Sequence, residues 1–406
     1  MGTGSQGTGV AGLLAMEPDV ETLVLADYSQ EPLNNALNLI KGLGDKVLCT
    51  DIRTAVVNAG DTDAVAEVIR GTDIVFNGIV PRFNLPIMKA CIKEKCHYLD
   101  LFANPYEGEG MPYEETIDAQ FDLDQRFKDA GVLALPSIGV SPGWTSVASE
   151  YLTERFDKVN DVIIRWADFV DSDVPVAPIS PITLFLEWFG APYPVANVNG
   201  KAEKVDLIRS RESFEFPEPI GVRNVYTVTA HPDIVLIPRF SKQPVHRCEE
   251  KGGIHTGGMS VEELWISFLQ KSALKQGSGK TECNILEELS SNFVSPMQYA
   301  QLMKEGKIRN HHVCFSCEVN GEIDGRFERH ILFNLASLEE SLKHLPWASP
   351  AVYQTAGGLP IELILALGRK QIDTTGVRSV SELDLCSFFI EDLKKRGHKI
   401  IEKIIR

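Results

Sequence analysis

No stretch of this chain is both long and uncharged enough for a membrane-spanning helix, and its start lacks the basic-then-apolar layout of a secretory leader. Positive charge is scarce too. The 40 Lys and Arg residues against 56 Asp and Glu leave a formal net charge of −16. That balance argues against nucleic acid or an anionic membrane as a partner. The eight cysteines are scattered, and without secretory features they read as reduced thiols of a cytoplasmic protein. One CxxC occurs, Cys314-Phe315-Ser316-Cys317. The segment alternates like a strand, which puts the two thiols on opposite faces, so no metal is expected there. No Ser-His-Asp signal is present.

The informative stretch is the first thirty residues. Gly2-Thr3-Gly4-Ser5-Gln6-Gly7 is a G-x-G-x-x-G run. Behind it Val10–Ala15 can open a helix, and Thr22–Ala26 is a short apolar run ending in Asp27 and Tyr28. Glycines let the backbone turn tightly and approach a pyrophosphate. The new helix aims free N–H groups at phosphate, and an acid about twenty residues on can accept from a ribose. A glycine-rich loop of another α/β protein is the competing reading. Asp27 would repel a 2′-phosphate, and no arginine adjoins it, which favours NAD over NADP. A buried strand should precede the first glycine, yet only Met1 stands there. The expectation is a truncated first strand, about five residues short.

Residues 1–158 alternate helix and strand, with strands expected at 46–50, 73–80, 97–101 and 132–136. That pattern predicts an α/β, doubly wound parallel sheet that binds a dinucleotide. Strands dominate from 159 to 344, including 162–167, 225–229 and 234–237, which predicts an α+β domain. Residues 174–194 are rich in proline and poor in regular pattern. Asp324-Gly325 marks a hairpin turn between two alternating runs. Residues 264–274 and 296–306 look helical. Residues 345–406 return to helical patterning and are expected to rejoin the first domain.

Several residues fall where a ligand would bind. Asn77, Gly78, Ile79 and Pro81 end the apolar strand 73–80, and ligands of open α/β sheets sit beyond the carboxyl ends of strands. Asn77 and Gly78 are candidates for the nicotinamide-side ribose; a strand stopping at a proline turn is the plainer alternative. Tyr98 and Asp100 share one face of the next strand and could position or deprotonate an amine, or be a buried pair. Gly143 lies in Gly139–Trp144, a strand-to-helix turn that could offer N–H groups to a carboxylate. Arg239 could clamp a substrate carboxylate, though a surface arginine is the plainer reading.

Together these residues resemble the saccharopine dehydrogenase family, which includes lysine 6-dehydrogenase and carboxynorspermidine dehydrogenase. Gly2–Ala15 resembles its nucleotide loop, and residues 89–101 (KACIKEKCHYLDL) its helix and "hYvD" strand. Residues 131–143, 231–239 and 357–377 resemble its "AGv…G…PG", "HPE…PR" and C-terminal "P…LL..G.i...GV" segments. Asp233 stands where Glu is usual. The resemblance implies a Rossmann domain carrying an inserted substrate and dimerisation domain, often in a homodimer. It implies hydride transfer between a carbon bearing nitrogen and nicotinamide, on an amino acid or adduct such as saccharopine or lysine. Tyr98 and Asp100 would then be catalytic, with Asn84, Gly143, His231 and Arg239 at the substrate and Arg82 nearby. A carbonyl-reducing member and a homologue that kept NAD but lost turnover are the other readings.

Overall fold

A computed structural model of the chain describes residues 1–104, 113–177, 184, 188, 193–229, 231–275, 293–294 and 298–406. The chain divides into two compact units, each gathered from three segments. The first comprises Met1–Phe156, Val235–Pro244 and Tyr353–His398; the second comprises Asp157–Ile234, Val245–Val352 and Lys399–Arg406.

In the first unit, helix α1 (Ser5–Ala15) leads to β1 (Thr22–Asp27), α2 (Gln30–Lys41), β2 (Asp51–Val56), α3 (Thr62–Ile69) and β3 (Ile74–Asn77). Then follow α4 (Asn84–Glu94), β4 (His97–Asp100), α5 (Tyr113–Phe121), α6 (Asp124–Ala130), β5 (Leu133–Leu135) and α7 (Trp144–Thr153). Strands β1 and β2 pair in parallel, with Asp27 opposite Val56. Strands β3, β4 and β5, extended by Gly376–Val377, form a second parallel set. Met1 and Gly2 lie between the two sets: the Gly2 N–H donates to the Ala26 carbonyl at 2.8 Å, and the Gly78 N–H to the Met1 carbonyl at 2.9 Å. The order β2, β1, residues 1–2, β3, β4, β5 is that of the doubly wound dinucleotide fold. The central position expected of a first strand is thus taken by two residues.

Local chemistry explains the elements. Asp61 caps α3 by accepting from the Asp63 and Ala64 N–H groups at 3.1 Å. Gly131, at φ +74°, closes α6. Val65, Ile69, Val75, Met88, Tyr98 and Phe127 meet in one core, where each large side chain contributes roughly 1.5–3 kcal/mol. The stretch Pro350–Gly368 is apolar enough by length and composition to cross a membrane, but 89% of that window is buried here.

The second unit is built on a ten-stranded sheet. Its strands are β6 (Lys158–Ser172), β7 (Val195–Val198), β8 (Lys201–Lys204), β9 (Glu212–Glu215), β10 (Val222–Thr227), β11 (Arg247–Thr256), β12 (Met259–Ser260), β13 (Ile308–Ile323) and β14 (Arg326–Ser337). The tenth, Lys399–Ile405, pairs with β14. β13 and β14 form a hairpin whose turn is Asp324 and Gly325, at φ +51° and +72°, the left-handed pair that a two-residue turn requires. Cys314 and Cys317 are buried within continuous β13, and burial pushes both thiols up.

Three expectations are corrected. The strand expected at 46–50 begins later, at Asp51, after a 3-10 turn at Gly44–Lys46. Residues 234–237 are not a strand but lie within the helix Asp233–Phe240, since a four-residue apolar run fits either period. The chain's end does not stay with the first unit, because Lys399–Ile405 joins the second unit's sheet. The helix expected at 296–306 is described only from Tyr299 to Lys304; residues 295–297 lie outside the described residues, as does most of 174–194.

Candidate functional site

The three glycines of the opening loop do three different things. Gly2 turns the chain at φ +81°, and a Cβ there would stand 3.2 Å from the Gly78 carbonyl. Gly4 is exposed, and a Cβ on it would meet nothing within 4 Å. Gly7 has no room: its Cβ would lie 1.9 Å from the Gly2 oxygen. The loop therefore makes a sharp exit, an open floor and a close seat of helix on strand. Gly4 is also the N-cap of α1 and brings no side chain to cover its first-turn N–H groups, which include those of Ser5, Gln6 and Gly7. A pyrophosphate fits this cradle by charge and by space.

Asp27 closes the cradle's far side. Its Oδ2 accepts from the Thr3 N–H at 2.6 Å and the Thr3 hydroxyl at 2.8 Å; its Oδ1 accepts from the Tyr28 N–H at 2.7 Å. Those donors fix the carboxylate rotamer and leave Oδ1 capacity for a ribose hydroxyl. Tyr28 beside it is 77% exposed. Among the described residues no Lys or Arg hydrogen-bonds Asp27.

The ends of β3 and β4 carry a closed polar network. The Tyr98 hydroxyl donates to Asp100 Oδ2 at 2.9 Å and accepts from Asn77 Nδ2 at 3.1 Å. Asn77 Nδ2 also donates to Asn84 Oδ1 at 2.8 Å. Asn84 Nδ2 reaches Gln120 and the Phe102 carbonyl, each at 2.9 Å. Gln120 returns to Asp100 Oδ2 at 2.7 Å, and the Ser137 N–H takes Asp100 Oδ1 at 2.9 Å. All are buried. Burial pushes the Asp100 carboxyl up, against the bonds from Ser137, Gln120 and Tyr98 that oppose the shift. Burial, then the charge of Asp100, pushes the Tyr98 phenol up. The pair expected to act on an amine is thus turned into the fold. Asn77 and Asn84, expected at ribose and substrate, are occupied in the same network. Asn77 also accepts from the Ile79 N–H at 3.1 Å, which shapes the loop 77–81. Gly78 sits 3.4 Å, at its virtual Cβ, from Gly7 of α1. Pro81 opens a 3-10 turn, and Arg82 lies over the Phe83 ring at 4.9 Å.

Two further expectations are corrected. In the turn at 139–144 the Trp144 N–H donates to the Gly139 carbonyl and the Thr145 N–H to that of Val140, both at 3.0 Å, so these two are not open to a carboxylate. Gly143, at φ +129°, is what lets this turn close, since a Cβ would collide with the Gly139 oxygen at 2.4 Å. Arg239 is not at a strand end. It sits in the helix Asp233–Phe240, pairs with Asp118 and lies near the Phe121 and Phe240 rings at 5.4 and 5.3 Å.

In the second unit, buried His231 brings its Nδ1 within 2.8 Å of Asp233 and 2.7 Å of Glu250. One ring nitrogen thus meets two carboxylates. These three side chains are also close enough to share a metal ion, with ligand atoms within 4.8 Å of one another.

Thr3, Gln120 and Ser137 escaped sequence reasoning. Only Thr3 had a signal, its place inside the glycine loop. Gln120 and Ser137 reach Asp100 across separations of 20 and 37 residues that no local pattern encodes.

A family model described as the saccharopine dehydrogenase NADP-binding domain matches residues 1–135. The carboxynorspermidine synthase of Vibrio cholerae serotype O1 is 30% identical over 393 residues, covering 95% of this chain and 91% of that protein. The carboxyaminopropylagmatine dehydrogenase of Synechocystis is 31% identical over 123 residues, 30% of this chain and 29% of that protein. Among solved structures, apo saccharopine dehydrogenase (L-Glu forming) of Saccharomyces cerevisiae matches in fold with a TM-score of 0.69 at 14% identity, covering 100% of this chain and 98% of that one.

Proposed function

The chain belongs to the saccharopine dehydrogenase family, and we propose that within it the preferred cofactor is NAD and the substrate is an amine of the carboxynorspermidine type. It is a nicotinamide-dependent oxidoreductase that acts on C–N bonds of amine compounds. The observation that carries the cofactor choice is Asp27, a carboxylate fixed by Thr3 where a 2′-phosphate would have to stand. The family model's own description names NADP, so the choice turns on this side chain. Gly2, Gly4, Ser5, Gln6 and Gly7 would hold the pyrophosphate, Asp27 and Tyr28 the adenosine, and Gly78, Ile79 and Pro81 the nicotinamide side. The nicotinamide these residues would hold would supply a hydride acceptor for oxidation at the carbon next to nitrogen, with the N–H proton passing to solvent as the C=N bond forms.

The chain's own residues prepare that event. Gly4 lets the phosphates approach the α1 amides. The Tyr98, Asp100, Asn77, Asn84 and Gln120 network fixes the ends of β3 and β4, and with them the loop on which a nicotinamide would rest. These are positioning residues. The substrate assignment rests on the names of two relatives, each of which names a carboxylated amine, and it displaces saccharopine and lysine as first choice.

The test follows NADH or NADPH formation with carboxynorspermidine, saccharopine and lysine. Turnover on carboxynorspermidine, with kcat/KM for NAD about tenfold or more above that for NADP, is expected. Turnover confined to saccharopine or lysine would overturn the substrate, and a preference for NADP would overturn the role of Asp27.

A further inference from the structure

The second unit contains a cavity of about 290 Å³ beside β10 and β11, bordered by Asp168, Val222, Arg223, Ile254, His255 and Val261. Most polar groups around it are spoken for. Asn224 and Tyr226 both donate to Glu262 at 2.8 Å, and the Ser260 N–H donates to Glu263 at 2.7 Å. Two charged groups are not fully engaged.

The first is Arg223. Its guanidinium lies 4.6 Å from the Phe169 ring, and its Nη1 donates to the Val222 carbonyl at 2.8 Å. Its Nε is buried with no hydrogen-bond partner among the described residues. The edge away from Nη1 is a side-on fork of parallel donors, the geometry a carboxylate takes. His255 stacks on the same Phe169 ring at 5.1 Å and completes an aromatic wall beside the fork. The second is Asp168, 2% exposed. Its Oδ2 is held by His311 Nε2 at 3.1 Å, and His311 is in turn bonded to Tyr299 at 2.8 Å. Its Oδ1 is buried with no partner among the described residues. A buried carboxylate oxygen without a donor accepts an ammonium readily.

We propose that this cavity is a binding site for a small α-amino acid zwitterion, with its carboxylate on Arg223, its ammonium on Asp168 and its apolar side chain against Val222, Ile254 and Val261. The size suits one amino acid and falls at the low end of small-molecule sites. The site uses no residue of the nucleotide loop and stands independently of the proposed reaction.

Calorimetric titration of the full chain with L-valine tests this, beside 3-methylbutanoate, which lacks the ammonium, and isobutylamine, which lacks the carboxylate. Valine is expected to bind one to one, with both analogues about tenfold weaker or worse. Arg223→Met keeps an apolar stem on Phe169 and should weaken valine about tenfold or more, leaving NAD binding and the melting temperature unchanged. Asp168→Asn should weaken valine as well; because that change also touches His311, Arg223→Met carries the decision. No binding of valine, equal binding of 3-methylbutanoate, or undiminished binding by Arg223→Met would each overturn the site.

Discussion

Thr3 gives both of its donors to a single oxygen of Asp27, the backbone N–H from 2.6 Å and the hydroxyl from 2.8 Å. The loop that would carry the pyrophosphate thereby sets the angle of the carboxylate that would meet the ribose. Thr3→Val removes one hydrogen bond and keeps the other, a loss of about 1 kcal/mol. The expected outcome is a KM for NAD raised about fivefold with kcat held, and Thr3→Ser restoring it. Asp27→Arg should swing the preference toward NADP. An unchanged NAD-to-NADP ratio in Asp27→Arg would refute the role of Asp27.

The second and third loop glycines should fail differently. Gly4→Ala meets no protein atom, so the unliganded protein should unfold within about 0.5 kcal/mol of wild type. Its NAD affinity should nonetheless fall about tenfold or more, because the methyl stands where the phosphates come close. Gly7→Ala drives a methyl onto the Gly2 oxygen and should destabilise the protein itself by about 1–3 kcal/mol. Denaturant unfolding without cofactor separates the two.

Tyr98→Phe deletes the donor to Asp100 and the acceptor of Asn77. Leaving a buried carboxylate short of a donor should cost about 1–3 kcal/mol of stability. If Tyr98 only positions, kcat of the folded variant should stay within about tenfold of wild type. A much larger fall in kcat at unchanged stability would return Tyr98 to the chemistry.

Acid stability should show the ion cluster of the second unit. Burial alone would raise the Glu212 carboxyl, but Arg165 and then Lys251 outweigh it and hold the group below its ordinary value. A carboxylate lowered in the folded state adds stability above its unfolded pKa, about 4.3, and loses it as pH falls through the folded value. Wild type should therefore exceed Glu212→Gln in stability at neutral pH, with the gap closing below about pH 4. A gap that does not change with pH would contradict this account.

The nucleotide loop and the β13–β14 hairpin were legible because each is written in glycine: three glycines with different steric duties, and Asp324-Gly325 at a turn that needs positive φ. Alternation also put Tyr98 and Asp100 correctly on one face. Whether that face looks at a ligand or into the fold depends on Gln120, Asn84 and Ser137, which come from other elements. Arg239 looked like a substrate clamp because Asp118, its partner, is 121 residues away in sequence. The edge strand Lys399–Ile405 was hidden by its lysines and glutamate, which on an outer strand discourage pairing with other chains.

The three-segment make-up of each unit bears on how the chain reaches this state. Val377 bonds Asp124 across 253 residues, and Arg396 reaches Glu17 across 379. In the second unit Arg165 and Glu318 meet across 153. Such distant closures must be made before their contacts give anything back, so folding should be slow, with each unit waiting on late-synthesised chain and neither excisable as one continuous fragment.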